Sequence, residues 1–351
     1  MRSATQRPSA TKTSPHSGYD VKALVISHTY ISPINRDKWK ILAKRHPECS
    51  LSIIFPKQWP THLFNHQASI AAEENTANCT FAAFDTKHQG NELLYRYKHK
   101  QLYETIKNFK PDILHVEQGA GALSYLQANS YLKALRLKTK SIFFTWVNWH
   151  QHNSFKHRFF FTPVEKINLT CAAAAVTGNH NAQEILRQKG FKKPILVLPQ
   201  LGVNTTVFAP QQRKKTETKS LCFVGRLTHE KGIFLLAKVF LALSTQFSAW
   251  RLLFVGDGPA YQQLHSFIAS QSMLHRVDFC KPVPHHHIAH ILKNVDLLVL
   301  PSYDTEQWRE QFGHVLIEAM ACKIPVIGSD AGEIPHVIGT SGLIFKQQNE
   351  T

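Results

Sequence analysis

Two glutamates, Glu310 and Glu318, frame the apolar segment of WREQFGHVLIEAMACK, residues 308–323. Phe312, Val315, Leu316, Ala319 and Met320 recur at helical spacing, and Glu318 stands among them between Ile317 and Ala319. A packed helix would leave that position partly buried, and a carboxylate is costly to bury unless something takes its charge or its hydrogen bonds. That partner need not be protein. A second stretch, GRLTHEKG at 225–232, sets Arg226 and Lys231 on a turn between an apolar strand and a helix expected to start near Gly232. Free backbone amides at a helix start, flanked by two cations, form a site for a diphosphate.

Position links the two stretches. Glu310 is expected directly after the strand that ends in VLPS, at the same carboxyl edge as the GRLTHEKG turn. Gln311, Phe312 and Gly313 then offer amides at another helix start. Cations and amide clusters suit a pair of phosphates, and carboxylates suit hydroxyl groups. A nucleotide sugar carries both.

The elements that must hold these residues alternate between strand and helix. VKALVIS (21–27), 51–55, 113–116, 141–145, 172–177 and 195–198 are short apolar runs, with a helix expected over Asp37–Arg45. After residue 208 the chain turns polar, in APQQRKKTETKS, and the alternation restarts at 221–225, 251–255, 277–279, 295–300, 325–328 and 342–345. Short apolar strands alternating with helices are the mark of parallel sheets covered on both faces. The expected fold class is α/β, with two Rossmann-like doubly wound domains facing a cleft. The expected divisions are a disordered lead at 1–20, a first domain at 21–208, a linker at 209–219 and a second domain at 220–351.

Composition narrows the setting. The chain has 351 residues, 43% hydrophobic and 19% charged, the balance of a globular protein of two domains. No run of about 18 apolar residues is present. The start, MRSATQRPSATKTSPHSGYD, lacks the apolar core of a secretory signal. Six scattered cysteines without a CxxC pair read as free thiols of a reducing cytosol. Residues 1–200 hold 27 Lys and Arg against 12 Asp and Glu, a net +15, while residues 201–351 hold 14 against 12, a net +2. So basic a first half predicts an anionic partner (a membrane surface, an anionic lipid or polysaccharide, or nucleic acid), generic solubility being the alternative. With the free thiols, the expected location is the cytoplasm or the inner face of a membrane. Nucleic acid is the weaker candidate, since no recognition motif accompanies the charge.

LCFVGRLTHEKG, VGDGP, VDLLVLPS, EQFGHVLIEAMACKIPVIGSDAGEIPHVIG and GLIF, in this order, closely resemble the nucleotide-sugar domain of family 4 glycosyltransferases. These are retaining enzymes of the GT-B type. LPQLGVNTTVF, 198–208, is similar to the segment that closes their first domain. The resemblance implies transfer of a hexose-type sugar from a nucleoside-diphosphate sugar to a glycan or lipid-linked acceptor held by the basic first domain, with no cofactor. Its core is a Glu-x7-Glu motif, matched by Glu310 and Glu318. By that likeness Glu310 meets the donor sugar's hydroxyls beside the reacting carbon, and Glu318 holds the ribose hydroxyls. The amides of Gln311, Phe312 and Gly313 face the diphosphate. Arg226 and Lys231 stabilise the leaving group in place of a metal ion, in keeping with the lack of an Asp-x-Asp motif.

The match also departs from the family pattern. HTYISPINRDKW has no glycine pair, leaving Asn35 or Arg36 as substitutes near the donor phosphate. Val147 and Asn148 occupy the place of a His-Asp step, with His150 beyond. Lys281 stands for a glycine in the turn that contacts the base, and GEIPH replaces GG-x-PE, so Glu333 and His336 stand for Gly and Glu. The chain ends at Thr351, soon after GLIF, which predicts a donor domain lacking the usual terminal helices. A nucleotide-sugar epimerase of two domains and a catalytically silent nucleotide-sugar-binding fragment are the alternatives. His285, His286, His287 and His290 are expected on a solvated helix start, not at a metal. The phenylalanines of FKHRFFF (155–161), mixed with cations, are expected to pack in the core, the alternative being an amphipathic contact with a membrane interface.

Overall fold

The computed structural model describes residues 21–60, 65–70, 74–149, 155–211 and 217–349. The lead at 1–20, His150 and the centre of the expected linker lie outside the described residues. Contacts divide the chain into two compact units, residues 1–117 with 122–141 and residues 118–121 with 142–351.

The first unit is built on parallel strands in the order β8-β1-β2-β5: β1 (Val21–Ile26), β2 (Cys49–Pro56), β5 (Cys79–Phe84) and β8 (Ile113–Val116). Leu24, Val25 and Ile26 of β1 and Ile53, Ile54 and Phe55 of β2 are fully buried, as strands without a polar alternation must be. Two antiparallel hairpins accompany them, β3 (Gln58–Pro60) with β4 (Asn65–Gln67) and β6 (Thr86–Lys87) with β7 (Arg96–Tyr97). The helices are α1 (Asp37–Arg45), α2 (His99–Phe109) and α3 (Leu123–Ala134). Strand β5, CTFAAF, is absent from the sequence reading because two alanines and a threonine dilute its apolar run. Arg36 corrects another expectation. It is fully buried, donates to the carbonyls of Tyr30, Ile31 and Ser69, and pairs with Glu74 at 2.9 Å. Every guanidinium nitrogen is thus occupied inside the unit, which leaves none to meet a phosphate.

The second unit holds β9 (Lys140–Thr145) from Ile142 onward, β10 (Ala174–Thr177) and β11 (Ile195–Val197), parallel in the order β11-β10-β9, with α4 (Phe155–Cys171) and α5 (His180–Gln188). It also holds a sheet of six parallel strands: β12 (Lys219–Val224), β13 (Trp250–Val255), β14 (Val277–Cys280), β15 (Leu297–Leu300), β16 (Val326–Ser329) and β17 (Leu343–Phe345). Their order is β14-β13-β12-β15-β16-β17. Counted from its own first strand, this is 3-2-1-4-5-6, the doubly wound order whose direction reverses between β12 and β15. The helices α6 (Ile233–Leu243), α7 (Tyr261–Ser270), α8 (His285–Leu292), α9 (His314–Ala321) and α10 (Ile334–Ile338) connect these strands. Phe223, Phe254, Leu252, Leu298, Leu300 and Leu316 form the centre of one apolar core. Each such side chain contributes on the order of 1.5–3 kcal/mol by leaving water.

The α/β class and the two parallel sheets agree with the sequence reading. Phe160 does not follow the core placement expected of FKHRFFF, for it is 65% exposed on α4. Among the described residues, no helix is long and apolar enough to cross a membrane.

Candidate functional site

Ligands of doubly wound sheets sit at the carboxyl ends of the strands where the order reverses. Here that point lies between β12 and β15, and both stretches singled out above converge on it. Beyond β12 the chain makes a short 3-10 turn at His229–Lys231, then Gly232 starts α6 in the left-handed region at φ 70°. Only glycine fits there. A Cβ at Gly232 would lie 1.9 Å from the carbonyl oxygen of Pro301, the residue that follows β15. The two loops therefore press together backbone to backbone.

Glu310 does not directly follow β15, as the sequence reading had it. Loop 301–313 intervenes and folds back, and Gly313 (φ 76°) starts α9. The fold-back brings the Glu310 carboxylate to Lys231, whose Nζ donates to Oε2 at 2.6 Å, with Ser302 Oγ donating to the same oxygen at 3.0 Å. Glu310 is 7% exposed, so a cation and a hydroxyl meet the charge that burial would otherwise penalise. Lys231 also lies over the Trp308 ring, 4.8 Å from its centroid. The Glu310 carbonyl accepts from Asn148 Nδ2 and from the Glu333 amide, each at 3.1 Å. Gly332 permits that approach, since a Cβ there would come within 2.1 Å of the same carbonyl.

The next residues keep the amides free. Gln311 is held through its side chain and carbonyl, donating to Trp146 O and accepting from Asn179 Nδ2, each at 3.3 Å. The main-chain N–H groups of Gln311, Phe312 and Gly313 donate to no protein acceptor among the described residues. Together with the start of α9 they form an anion-binding cluster. Arg226 is exposed on the β12 turn, and Lys281 is exposed just past β14. Neither is drawn to Glu310 or Glu318 by a hydrogen bond among the described residues.

Glu318 answers the question raised by its position. It is 4% exposed, and its partners are imidazoles: His285 Nε2 lies 2.6 Å and His314 Nδ1 2.8 Å from Oε1. A snorkelling surface acid is thereby excluded. His285 is exposed, as expected of the whole histidine run with His286, His287 and His290, but unlike those three it also reaches the Glu318 carboxylate. An imidazole reaching from α8 to α9 has no sequence signature, because the pairing depends on how the two helices pack.

His314 is set up to be cationic. Its other nitrogen, Nε2, lies 2.9 Å from Gly202 O, so both ring nitrogens face acceptors. The hydrogen bond to Glu318 is the main cause of a pKa raised above the ordinary histidine value, with desolvation opposing it. A raised folded-state pKa contributes stability that is complete below the unfolded value, about 6.5, and is lost as pH rises through the folded value. His314→Gln should therefore lower Tm most on the acidic side of neutrality and progressively less as pH rises. Thermal melts of both proteins between about pH 5.5 and 9 test this. A gap that is constant or widens with pH would overturn it.

The first unit carries a polar cluster that the sequence reading missed. Glu117, just past β8 and 6% exposed, accepts from Tyr30 OH and from Lys38 Nζ, the latter at 2.8 Å, with His115 Nε2 at 3.9 Å. Burial pushes His28, Lys38 and His115 below their ordinary pKa values, and the charge of Glu117 resists each shift. His28 stacks on Trp59 with centroids 4.5 Å apart, and Tyr95 meets Trp59 edge-on at 5.0 Å. The available signal was an acid immediately after an apolar strand, in ILHVEQG.

Comparison with known proteins falls on the same part of the chain. Residues 204–351 match the family model described as Glycosyl transferases group 1. The chain is 33% identical over 135 residues to the N-acetyl-alpha-D-glucosaminyl L-malate synthase of Bacillus anthracis, covering 38% of this chain and 33% of that protein. It is 23% identical over 243 residues to the phosphatidylinositol N-acetylglucosaminyltransferase gpi3 subunit of Schizosaccharomyces pombe, covering 68% and 51%. The chain spans about half or less of the length of these curated relatives. Among solved structures, Anabaena HepE in complex with UDP superposes with a TM-score of 0.66 at 13% identity, covering 95% of this chain and 87% of HepE. At that identity the likeness establishes the fold, which is that of the GT-B glycosyltransferases.

Proposed function

We propose that the protein is a retaining glycosyltransferase that moves a sugar from a nucleoside-diphosphate sugar to a glycan or lipid-linked acceptor. The observation that carries the reading is the buried Glu310–Lys231 pair at the reversal point of the six-stranded sheet, beside the three free amides of Gln311, Phe312 and Gly313. In this reading the diphosphate takes the amides, with Lys231 and Arg226 as counter-charges. Breaking the bond between the anomeric carbon and the diphosphate oxygen leaves negative charge on the leaving group. Preorganised cations and N–H groups stabilise it as it forms. Glu310 holds sugar hydroxyls next to the carbon that becomes cationic, and Glu318 exchanges an imidazole for the ribose hydroxyls. The HepE complex with UDP and the family match over residues 204–351 support a nucleotide donor. Acceptor binding is assigned to the first unit, where His28, Trp59 and Tyr95 offer ring faces and Glu117 a carboxylate.

Side-chain cations take the place of a metal in this scheme. Hydrolysis and transfer measured over a panel of labelled nucleotide sugars should single out at least one donor, and turnover should persist in excess chelator. Turnover abolished by chelator and restored by magnesium or manganese would overturn metal independence. No turnover with any donor, together with retained nucleotide binding, would favour the silent fragment. Interconversion of the free sugar nucleotide without transfer would favour the epimerase.

A further inference from the structure

We propose that His180, Glu333 and His336 form a site for a zinc-class divalent cation, separate from the donor residues. His180 is the first residue of α5, Glu333 precedes α10, and His336 lies within α10. Their candidate ligand atoms all lie within 4.8 Å of one another. His180 Nδ1 is 2.7 Å and His336 Nδ1 3.7 Å from Glu333 Oε1. Two ligands of a tetrahedral ion with bonds of about 2.0–2.1 Å stand roughly 3.3 Å apart, so the observed separations bracket the required one. Small side-chain adjustments bring all three donors to one centre.

Three further features fit a metal better than a simple His–carboxylate hydrogen bond. First, the carboxylate is oriented: Glu333 is 4% exposed, and its other oxygen, Oε2, accepts the His180 main-chain N–H at 3.0 Å. Such outer contacts fix the direction of a ligating group. Second, the His180 and His336 rings stack with centroids 4.0 Å apart and planes at 26°. The stacking holds the two imidazoles side by side against one carboxylate oxygen. Third, both histidines are exposed, which gives an ion a path in and leaves a fourth position for water. Two imidazoles and one carboxylate suit zinc and its neighbours, not magnesium or calcium, which favour oxygen ligands.

The other His–Glu cluster is less suited. Both His285 and His314 already lie at donor distance from Glu318 Oε1, and His314 spends its second nitrogen on Gly202 O. A cation on His180, Glu333 and His336 would instead tie the start of α5 to the start of α10. It would also act on the donor site indirectly, because the Glu333 amide is hydrogen-bonded to the Glu310 carbonyl. No step of transfer passes through it.

The test is calorimetric titration of Zn2+ into tag-free, chelator-treated full-length protein. One saturable equivalent is expected, with affinity falling at least about 10-fold in His336→Ala and in His180→Ala. The same affinity should survive in His285→Gln, and excess Mg2+ should not compete. Zn2+ should raise Tm in the wild type and not in His336→Ala, where the residue changed is exposed and outside the core; His336→Gln repeats the test with size retained. Zinc bound equally well by the His180 and His336 variants, abolished by His285→Gln, or not bound saturably would each overturn the proposal. None of these outcomes bears on donor transfer, which the nucleotide-sugar panel decides separately.

Discussion

Lys231→Ala is expected to slow transfer about 10²–10³-fold at saturating donor, the usual cost of removing one preorganised charge-stabilising donor. The structure adds a consequence that the motif alone does not contain. Lys231 is the cation against the buried Glu310 carboxylate, so its removal strands a charge that, among the described residues, only Ser302 then meets. Breaking a buried pair from one side costs roughly 3–5 kcal/mol, and the surviving Ser302 bond points to the lower end. The variant should melt well below the wild type, and adding Glu310→Gln should restore much of the lost Tm without restoring turnover. That asymmetry separates the two roles. A single variant with near-normal turnover removes Lys231 from the reaction. A double variant no more stable than Lys231→Ala would show that the pair is not what holds the loop.

Glutamine substitutions should separate the two glutamates. In the proposed reaction, Glu310→Gln keeps size and hydrogen-bonding capacity but loses negative charge beside the carbon that would turn cationic. The loss should fall on kcat, with little change in nucleoside-diphosphate affinity. Glu318→Gln should weaken donor and nucleoside diphosphate together, because a ribose contact is equal in ground and transition states. A lost charge-assisted hydrogen bond is worth about 1.5–3 kcal/mol, or roughly 10- to 100-fold in affinity. The imidazoles of His285 and His314 hold the free carboxylate, so under the proposed role a ribose would displace at least one of them. His285→Ala should for that reason bind nucleotide no more weakly than the wild type. Calorimetric binding of the nucleoside diphosphate to all three variants, beside initial rates, decides the matter. Equal effects of the two glutamine substitutions on binding would refute the division of labour.

Much of this was legible in the residues. The apolar runs located both parallel sheets, because strands buried on both faces leave no polar alternation to hide them. Gly232 and Gly313 marked helix starts, since a left-handed residue there has to lack a Cβ. Strand β5 escaped because its apolar run is diluted by small residues, and Arg36 was misread because a buried guanidinium looks the same in sequence as a free one.

What sequence by itself determined were the local terms: strand runs, helix starts, and residue types able to meet phosphate and hydroxyl groups. It also placed Glu318 where a helix is buried, and so demanded a partner for it. Which partner was a tertiary decision. Strand order set β12 beside β15, and that adjacency carried Lys231 to a glutamate far along the chain. Packing of α8 against α9 chose imidazoles for Glu318, and the placing of α5 by α10 gathered His180, Glu333 and His336. Periodicity reports which way a side chain faces on its own element. It is blind to what waits opposite, because long-range hydrogen bonds and ion pairs depend on distances of a few ångströms that only the folded chain defines.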